Sequence, residues 1–107
     1  MLTVVETSIF IRYAAQVWND EERTAFINWI ALNPQAGDVI PNSGDCRKIR
    51  WSRGGMGKRG GVRVIYVNQL EAGKIGLLIV YAKAKFDNLP AELFRQLKQE
   101  LENGQTR

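Results

Sequence analysis

The sequence contains no histidine and only one cysteine, Cys46, in 107 residues. A single cysteine cannot form an intramolecular disulfide, which fits a reducing compartment. The absence of histidine excludes Ser-His-Asp and Cys-His catalysis, and together with the lone cysteine it argues against a zinc site of ordinary composition. We therefore expect no metal and no cofactor.

Long apolar runs are also missing from the sequence. The longest, Gly76–Ala82, is far shorter than the roughly 20 residues that a membrane-spanning helix needs. The N-terminal segment MLTVVETSIF has no basic leader followed by an apolar run, so we expect no signal peptide. These features predict a cytoplasmic protein without membrane contact, folded as a single domain over residues 1–107.

Acidic residues are absent from one stretch, residues 46–70, although the chain contains 11 of them. Seven basic residues lie between Arg47 and Arg63, which leaves eight basic against 11 acidic residues in the rest of the chain. The net charge of +4 is therefore concentrated in one segment, as expected of a site that meets an anionic ligand. Nucleic acid is the leading ligand for a basic surface made of strands and a loop.

The middle of the basic stretch is rich in glycine, and residues 55–60 read GMGKRG. This segment matches the G-x-G-x-x-G pattern of dinucleotide-binding loops, but β-branched residues follow it where that motif needs a helix. A Walker A loop is excluded too, because position 52 is serine and position 59 is arginine. A solvated hairpin connection would explain the glycines but not seven cations without an anion. We therefore interpret the stretch as an anion-binding surface.

Hydrophobic periodicity predicts an α+β domain with the order β-α-α-β-β-β-α and a mainly antiparallel sheet. The predicted strands lie at Leu2–Glu6, Arg47–Ser52, Val62–Val67 and Lys74–Ala82. A helix capped by Thr7 or Ser8 and a second helix capped by Asp20 are predicted to form a helical hairpin that ends at Asn33-Pro34. The last helix is predicted to begin at Pro90. We expect the apolar strand Lys74–Ala82 to be central and buried on both faces.

Alternation along these strands predicts where the basic residues point. Ile49 is expected to face inward and Lys48 and Arg50 outward, while Arg63 is expected to meet a ligand phosphate rather than a carboxylate. If Glu71–Gly73 forms a hairpin turn, Lys83 lies near the Arg63 end of the sheet. The alternative for Lys83 is a solvated turn. Trp51 either stacks on a base or is a half-buried strand residue.

Four segments resemble the RelE/HigB superfamily of bacterial toxin–antitoxin toxins, and they are most similar to its HigB-like branch. They are NPQAGDVIPNSG (33–44), RKIR (47–50), GKRGGVRVIYV (57–67) and LLIVYAKAKFDNLPAE (77–92). The resemblance implies a RelE-like small antiparallel sheet with two N-terminal helices and one C-terminal helix. It implies a ribosome-dependent, metal-independent endoribonuclease (mRNA interferase) that cleaves translated mRNA in the A site and inhibits translation. It also implies a HigA-like helix-turn-helix antitoxin, which neutralises the toxin and brings the complex to operator DNA.

By these motifs, the catalytic cations of the family correspond to Lys48, Arg50, Arg63 and Lys83. Without histidine, we assign Lys48 as candidate base, Lys83 or Arg50 as candidate acid or electrostatic partner, and Arg63 to the scissile phosphate. The further residues expected to contact RNA are Arg47, Trp51, Arg53, Lys58, Arg59, Tyr66 and Lys85.

The sequence departs from the family pattern in three places. Val67 stands where the pattern has a second tyrosine, Ala84 and Lys85 stand where it has asparagine and glutamate, and no tyrosine follows Tyr81. These differences leave the general base open. They also leave two alternatives, a non-catalytic module that binds RNA or the ribosome, and an inactive toxin homologue retained for operon regulation.

Overall fold

A computed structural model describes residues 2–51, 61–83, 85 and 89–103. The helices are α1 (Ser8–Val17), α2 (Asp20–Leu32) and α3 (Ala91–Glu102). The strands are β1 (Thr3–Glu6), β2 (Asp38–Val39), β3 (Arg47–Trp51), β4 (Val62–Gln69) and β5 (Lys74–Ala82). The predicted α+β class is confirmed, and the order differs from the predicted one only by β2, which is two residues long and shows no periodicity of its own.

The five strands form one sheet in the order β1-β5-β4-β3-β2. Every neighbouring pair is antiparallel except β1 and β5, which run parallel because both helices α1 and α2 follow β1 before the chain enters the antiparallel part of the sheet. The central strand of the five is β4. The prediction that β5 is central was therefore wrong, and β5 lies next to the central strand. Its burial on both faces is confirmed, since every residue from Ile75 to Tyr81 is buried between β1, β4 and the helices.

Local hydrogen bonds determine where the N-terminal helices begin. Thr7 Oγ1 accepts a hydrogen bond from the Phe10 amide at 2.9 Å and donates one to the Leu78 carbonyl at 2.7 Å, so one side chain caps α1 and ties it to β5. Helix α2 is capped by Asn19 rather than by the predicted Asp20. Asn19 and Glu22 form a reciprocal capping box, which satisfies two amides that a cap at Asp20 would leave open.

The sheet separates two hydrophobic clusters. Phe10, Phe26 and Ile30 from α1 and α2 pack on one face, whereas Phe94 and Leu97 from α3 pack on the other. The alternation predicted for β4 is confirmed, because its side chains divide between the two clusters in the predicted way. Val62, Val64 and Tyr66 belong to the first cluster, and Ile65 and Val67 to the second. Each large apolar side chain buried in this way contributes about 1.5–3 kcal/mol.

The β4–β5 hairpin turns at Leu70–Gly73, with Gly73 in the left-handed region at φ 70°, as the predicted turn at Glu71–Gly73 requires. Its register pairs Arg63 with Tyr81 and Val62 with Ala82. The end of β5 therefore lies beside the start of β4, as predicted, and this arrangement positions the site described next. Within the described ranges, no helix has the length and apolar character that crossing a bilayer would require.

Candidate active site

Three basic side chains converge on one face of the sheet where β3 meets β4. Arg50 lies directly opposite Arg63 in the antiparallel register, and Lys48 lies opposite Ile65. Residues paired in this way share a face, and Ile65 belongs to the cluster under α3. Lys48, Arg50 and Arg63 therefore lie on the α3 side of the sheet, at the end that α3 leaves uncovered.

These three cations remain available to a ligand. Lys48 and Arg50 are exposed and Arg63 is half-buried. Within the described part of the chain, none of the three has a hydrogen bond or an ion pair to a side chain or a carbonyl. Like charges placed opposite each other on a sheet repel. An anion bound between them would relieve that repulsion, and the arrangement is therefore suited to a phosphate group.

The three cations line a cleft of about 420 Å³, together with Ala36, Asp38 and Ile49. Asp38 comes from β2 and lies opposite Lys48 in the β2–β3 pairing. The cleft is thus formed by three neighbouring strands, of which two contribute cations and the third contributes a carboxylate.

Lys83 lies in the turn that follows β5 and is exposed. Because Val62 pairs with Ala82, Lys83 is the next residue along the chain at the Arg63 end of the sheet. The structure therefore places Lys83 at the Arg63 end of the sheet, as the predicted hairpin requires. The described residues that line the cleft itself do not include it.

Tyr81 forms the inner boundary of the site, opposite Arg63 on β5. Burial raises the pKa of the Tyr81 hydroxyl, and the positive charge of Arg63 lowers it by a smaller amount. The hydroxyl therefore keeps its proton at neutral pH, so that Tyr81 is not a proton acceptor there.

Arg47 and Tyr66 have structural roles on the opposite face of the sheet. The Tyr66 hydroxyl accepts a hydrogen bond from the Gly37 amide at 2.8 Å and donates one to the Pro34 carbonyl at 2.9 Å. Arg47 donates to the carbonyl oxygen of Gly37 at 2.7 Å. The expectation that Tyr66 contacts RNA is wrong, because its side chain is fully buried, and Arg47 faces away from the cleft.

Trp51 belongs to the hydrophobic core on the same face as Arg47. Its ring lies 5.0 Å from that of Trp29 and 5.1 Å from that of Phe26, measured between centroids. Of the two alternatives predicted for Trp51, the structure shows the half-buried strand residue rather than a base-stacking platform.

Lys85 also lies away from the cleft. Its ammonium group donates a hydrogen bond to the Gln16 side chain at 3.3 Å and lies 5.7 Å from the centre of the Tyr13 ring. Lys85 therefore contacts α1 instead of extending the basic surface. Three further residues expected to bind RNA, Arg53, Lys58 and Arg59, lie outside the described residues.

Asp38 is the residue of the cleft that the sequence analysis missed. Two signals in the sequence bear on its position, namely the β-branched pair Val39-Ile40 and the alternation of Lys48 and Arg50 on the next strand. An antiparallel pairing between these segments puts Asp38 opposite Lys48. The pairing itself is not visible in the sequence, because it is made by only two residues of β2.

No protein-family model matches the sequence. Among solved structures, the fold matches that of the E. coli toxin RelE, in the free state of a variant with two arginines replaced by alanine. The TM-score is 0.60, and the match covers 94% of this chain and 97% of that chain at 12% sequence identity. The chain has a RelE-like fold. This confirms the predicted fold class.

Proposed function

We propose that this protein is the toxin of a type II toxin–antitoxin system, of the HigB-like branch, and that it cleaves translated mRNA in the ribosomal A site. The observation that carries the proposal is the cluster of Lys48, Arg50 and Arg63 in a cleft that α3 does not line, on a RelE-like sheet. A surface that concentrates unpaired cations in this way binds a phosphate backbone.

The chemistry follows from the properties of these side chains. Arg63 and Arg50 lie opposite each other and bind the scissile phosphate from two sides, where they stabilise the charge that develops in the pentacovalent transition state. Arginine does not release its proton near neutral pH, so its role is electrostatic. Lys48 and Lys83 each carry an ammonium proton and serve as the acid for the leaving 5′-oxygen or as further electrostatic partners. The ribosome supplies the orientation of the mRNA.

The partner in this proposal is a HigA-like antitoxin with a helix-turn-helix domain. The cationic cleft is open on one side of the sheet, and an acidic segment of an antitoxin would neutralise it by charge complementarity. Operator DNA would then be bound through the antitoxin of the complex.

The test is expression of the protein in bacteria without the neighbouring gene product. We expect growth arrest, and we expect Arg63→Ala to abolish the arrest without lowering the melting temperature, because the Arg63 side chain is not part of either hydrophobic cluster. Arg12→Ala is the matched control, since Arg12 is an exposed arginine on α1 outside the cleft. Unimpeded growth on strong expression of the wild-type protein contradicts the proposal.

A second candidate is a module that binds RNA or the ribosome without cleaving it, and the departures at Val67, Ala84 and Lys85 favour it. Primer extension on mRNA from arrested cells separates the two candidates. Cuts that appear only in translated messages support the nuclease. Growth arrest without cuts supports the binding module, and cuts that do not depend on translation contradict ribosome dependence.

A further inference from the structure

Asp38 is the only carboxylate among the described residues that line the cationic cleft. We propose that Asp38 is the general base of the reaction and accepts the proton of the attacking 2′-hydroxyl, the role that the sequence analysis gave to Lys48. This inference rests on the proposed nuclease function, and it assigns a residue to the step that the family resemblance leaves open.

A carboxylate in a phosphate-binding cleft is unfavourable for binding. Its charge repels the RNA backbone and weakens binding, and a threonine or asparagine could form the same two-residue strand without that penalty. The Asp38 side chain is exposed and forms no ion pair or hydrogen bond with the described residues, so its charge does not stabilise the fold through such a contact. Its charge is therefore better explained by the reaction than by folding.

The other groups that line the cleft are proton donors at neutral pH. A guanidinium and an ammonium group have no lone pair with which to accept a proton, and lysine must first lose its own. Tyr81, at the inner boundary, retains its proton because burial raises its pKa. An aspartate is already ionised at neutral pH. Among the described residues of the site, Asp38 is thus the group that can accept a proton directly.

The position of Asp38 is held from the opposite face of the sheet. The carbonyl oxygen of Gly37, the residue before it, accepts one hydrogen bond from Arg47, and the Gly37 amide donates one to the Tyr66 hydroxyl. A Cβ atom at position 37 would lie 2.9 Å from both the Lys48 carbonyl oxygen and the Tyr66 ring, so only glycine allows this close approach. The hydrogen bonds from Arg47 and to Tyr66, with the tight Gly37 backbone, therefore fix the backbone at the start of β2, where Asp38 lines the cleft.

The charged and titratable groups around Asp38 are known from each neighbouring strand. They are Lys48 and Arg50 on β3 and Arg63 on β4 across the cleft, with Arg47 and Tyr66 behind β2. Four of these five groups are cationic, and Asp38 supplies the negative charge among them.

The reaction step is a transesterification that consumes no other reactant. The 2′-O–H bond breaks and its proton passes to a carboxylate oxygen of Asp38, while the 2′-oxygen forms a bond to phosphorus. The bond between phosphorus and the 5′-oxygen breaks, and that oxygen takes a proton from an ammonium group. The products are a 2′,3′-cyclic phosphate and a 5′-hydroxyl.

The test is single-turnover cleavage of mRNA on programmed ribosomes with saturating toxin, between pH 6 and pH 8. Free aspartate is ionised and free lysine is protonated across this range, so a carboxylate base predicts a rate constant independent of pH and a lysine base predicts one that rises with pH. We expect Asp38→Asn to lower it by about 10²- to 10⁴-fold, the usual contribution of a general base. Glu71→Gln is the control, since it removes one exposed carboxylate at the far end of the hairpin and should leave the rate unchanged.

A second variant separates a base from a merely structural aspartate. Formate added to Asp38→Ala should restore part of the lost rate, because a small carboxylate can occupy the vacated space, whereas a folding defect is not rescued in this way. A wild-type rate that rises tenfold per pH unit, or an Asp38→Asn variant as fast as the wild type, overturns the inference and leaves the nuclease proposal intact. Loss of activity in Asp38→Ala without formate rescue also overturns it. If the wild-type protein cuts no mRNA, both proposals are wrong.

Discussion

Strand β3 has two faces that differ in composition and in what covers them. On one face Ile49 and Trp51 pack into the aromatic cluster of α1 and α2, while on the other Lys48 and Arg50 are exposed. The same division continues across β4, where Val62 and Val64 are buried on the first face and Arg63 lies at the uncovered end of the second.

The contrast between the two faces shows how a small domain can stay folded although its cationic site lowers stability. Three cations close together repel one another, and no described carboxylate forms an ion pair with them. The opposite face compensates with closely packed aromatic rings, including Trp18 and Phe26 with ring centroids 5.3 Å apart. We infer that one face of the sheet supplies stability and the other supplies the site, so that substitutions on the two faces should have separable effects.

The largest expected effect of this kind is on the covered face. Trp51→Ala removes a ring that contacts Trp29 and Phe26, and we expect a loss of about 3 kcal/mol in the free energy of unfolding. Arg50→Ala, one residue earlier but on the other face, should leave stability nearly unchanged and lower the affinity for RNA. Urea unfolding and fluorescence anisotropy with a short RNA measure the two quantities.

The opposite result would contradict the inference that one face of the sheet supplies stability and the other supplies the site. If Trp51→Ala keeps the wild-type unfolding midpoint and loses RNA affinity, Trp51 acts as a stacking platform in solution. Trp51→Phe refines the result, because a smaller ring retains part of the packing and should recover most of the lost stability.

The sequence predicted the features of this comparison that depend on local periodicity. The alternation of Lys48 and Arg50 with Ile49 and the hairpin that brings Lys83 to the Arg63 end were both predictable, since each follows from strand period and turn composition.

Features made by distant contacts were not predictable. The Tyr66 hydroxyl is hydrogen-bonded to residues 29 and 32 positions earlier in the chain, Gly37 and Pro34. Nothing near Tyr66 in the sequence marks it as a buried anchor rather than an RNA contact. Asp38 was missed for the same reason, because its place opposite Lys48 depends on a two-residue strand that only the folded sheet stabilises.

The next effect concerns the packing of α3 on the sheet, on the same side as the cations but away from the cleft. A Cβ atom on Gly76 would clash with Cδ2 of Leu101, so Gly76→Ala forces the side chain or the helix to move. We expect a loss of about 1–3 kcal/mol in the free energy of unfolding, with cleavage unchanged because α3 does not line the cleft.

The matched measurement is the same substitution in a Leu101→Ala background. There the clash with Leu101 is gone and only the contact with Val67 Cγ1, at 3.3 Å, remains tight, so Gly76→Ala should cost less. An equal loss in both backgrounds would show that the cost does not come from the contact between α3 and β5.

Alkaline pH should lower the stability of the fold, because both faces of the sheet bury groups that ionise at high pH. Burial raises the pKa of Cys46, Tyr66 and Tyr81 above their ordinary values, so each group contributes stability at neutral pH that is lost once the pH exceeds its unfolded value. Stability should therefore fall from about pH 9 upward, as Cys46 and then the two tyrosines ionise in the unfolded chain.

Urea midpoints between pH 7 and pH 11 measure this loss. Cys46→Ala should remove the part of the decline that begins first, and Tyr66→Phe should flatten the later part while lowering stability at pH 7 through the loss of two hydrogen bonds. A midpoint that stays constant up to pH 11 would contradict the assignment of these raised pKa values to burial.

The smallest expected effect is a gain in stability, and it tests the charge repulsion between Arg50 and Arg63 directly. Arg50 and Arg63 are cross-strand partners of like charge, and such pairs destabilise a sheet by about 0.2–1 kcal/mol. Arg50→Gln should therefore stabilise the protein by a few tenths of a kcal/mol while slowing cleavage. Because salt screens the repulsion, the gain should shrink between 0.05 and about 0.5 M salt, as the Debye length falls to a few ångströms. Arg12→Gln, at an exposed position of α1, should show no such gain at either salt concentration. If Arg50→Gln instead destabilises the fold by an amount that salt does not change, Arg50 supports the sheet as Trp51 does, and the two faces are not divided between site and stability.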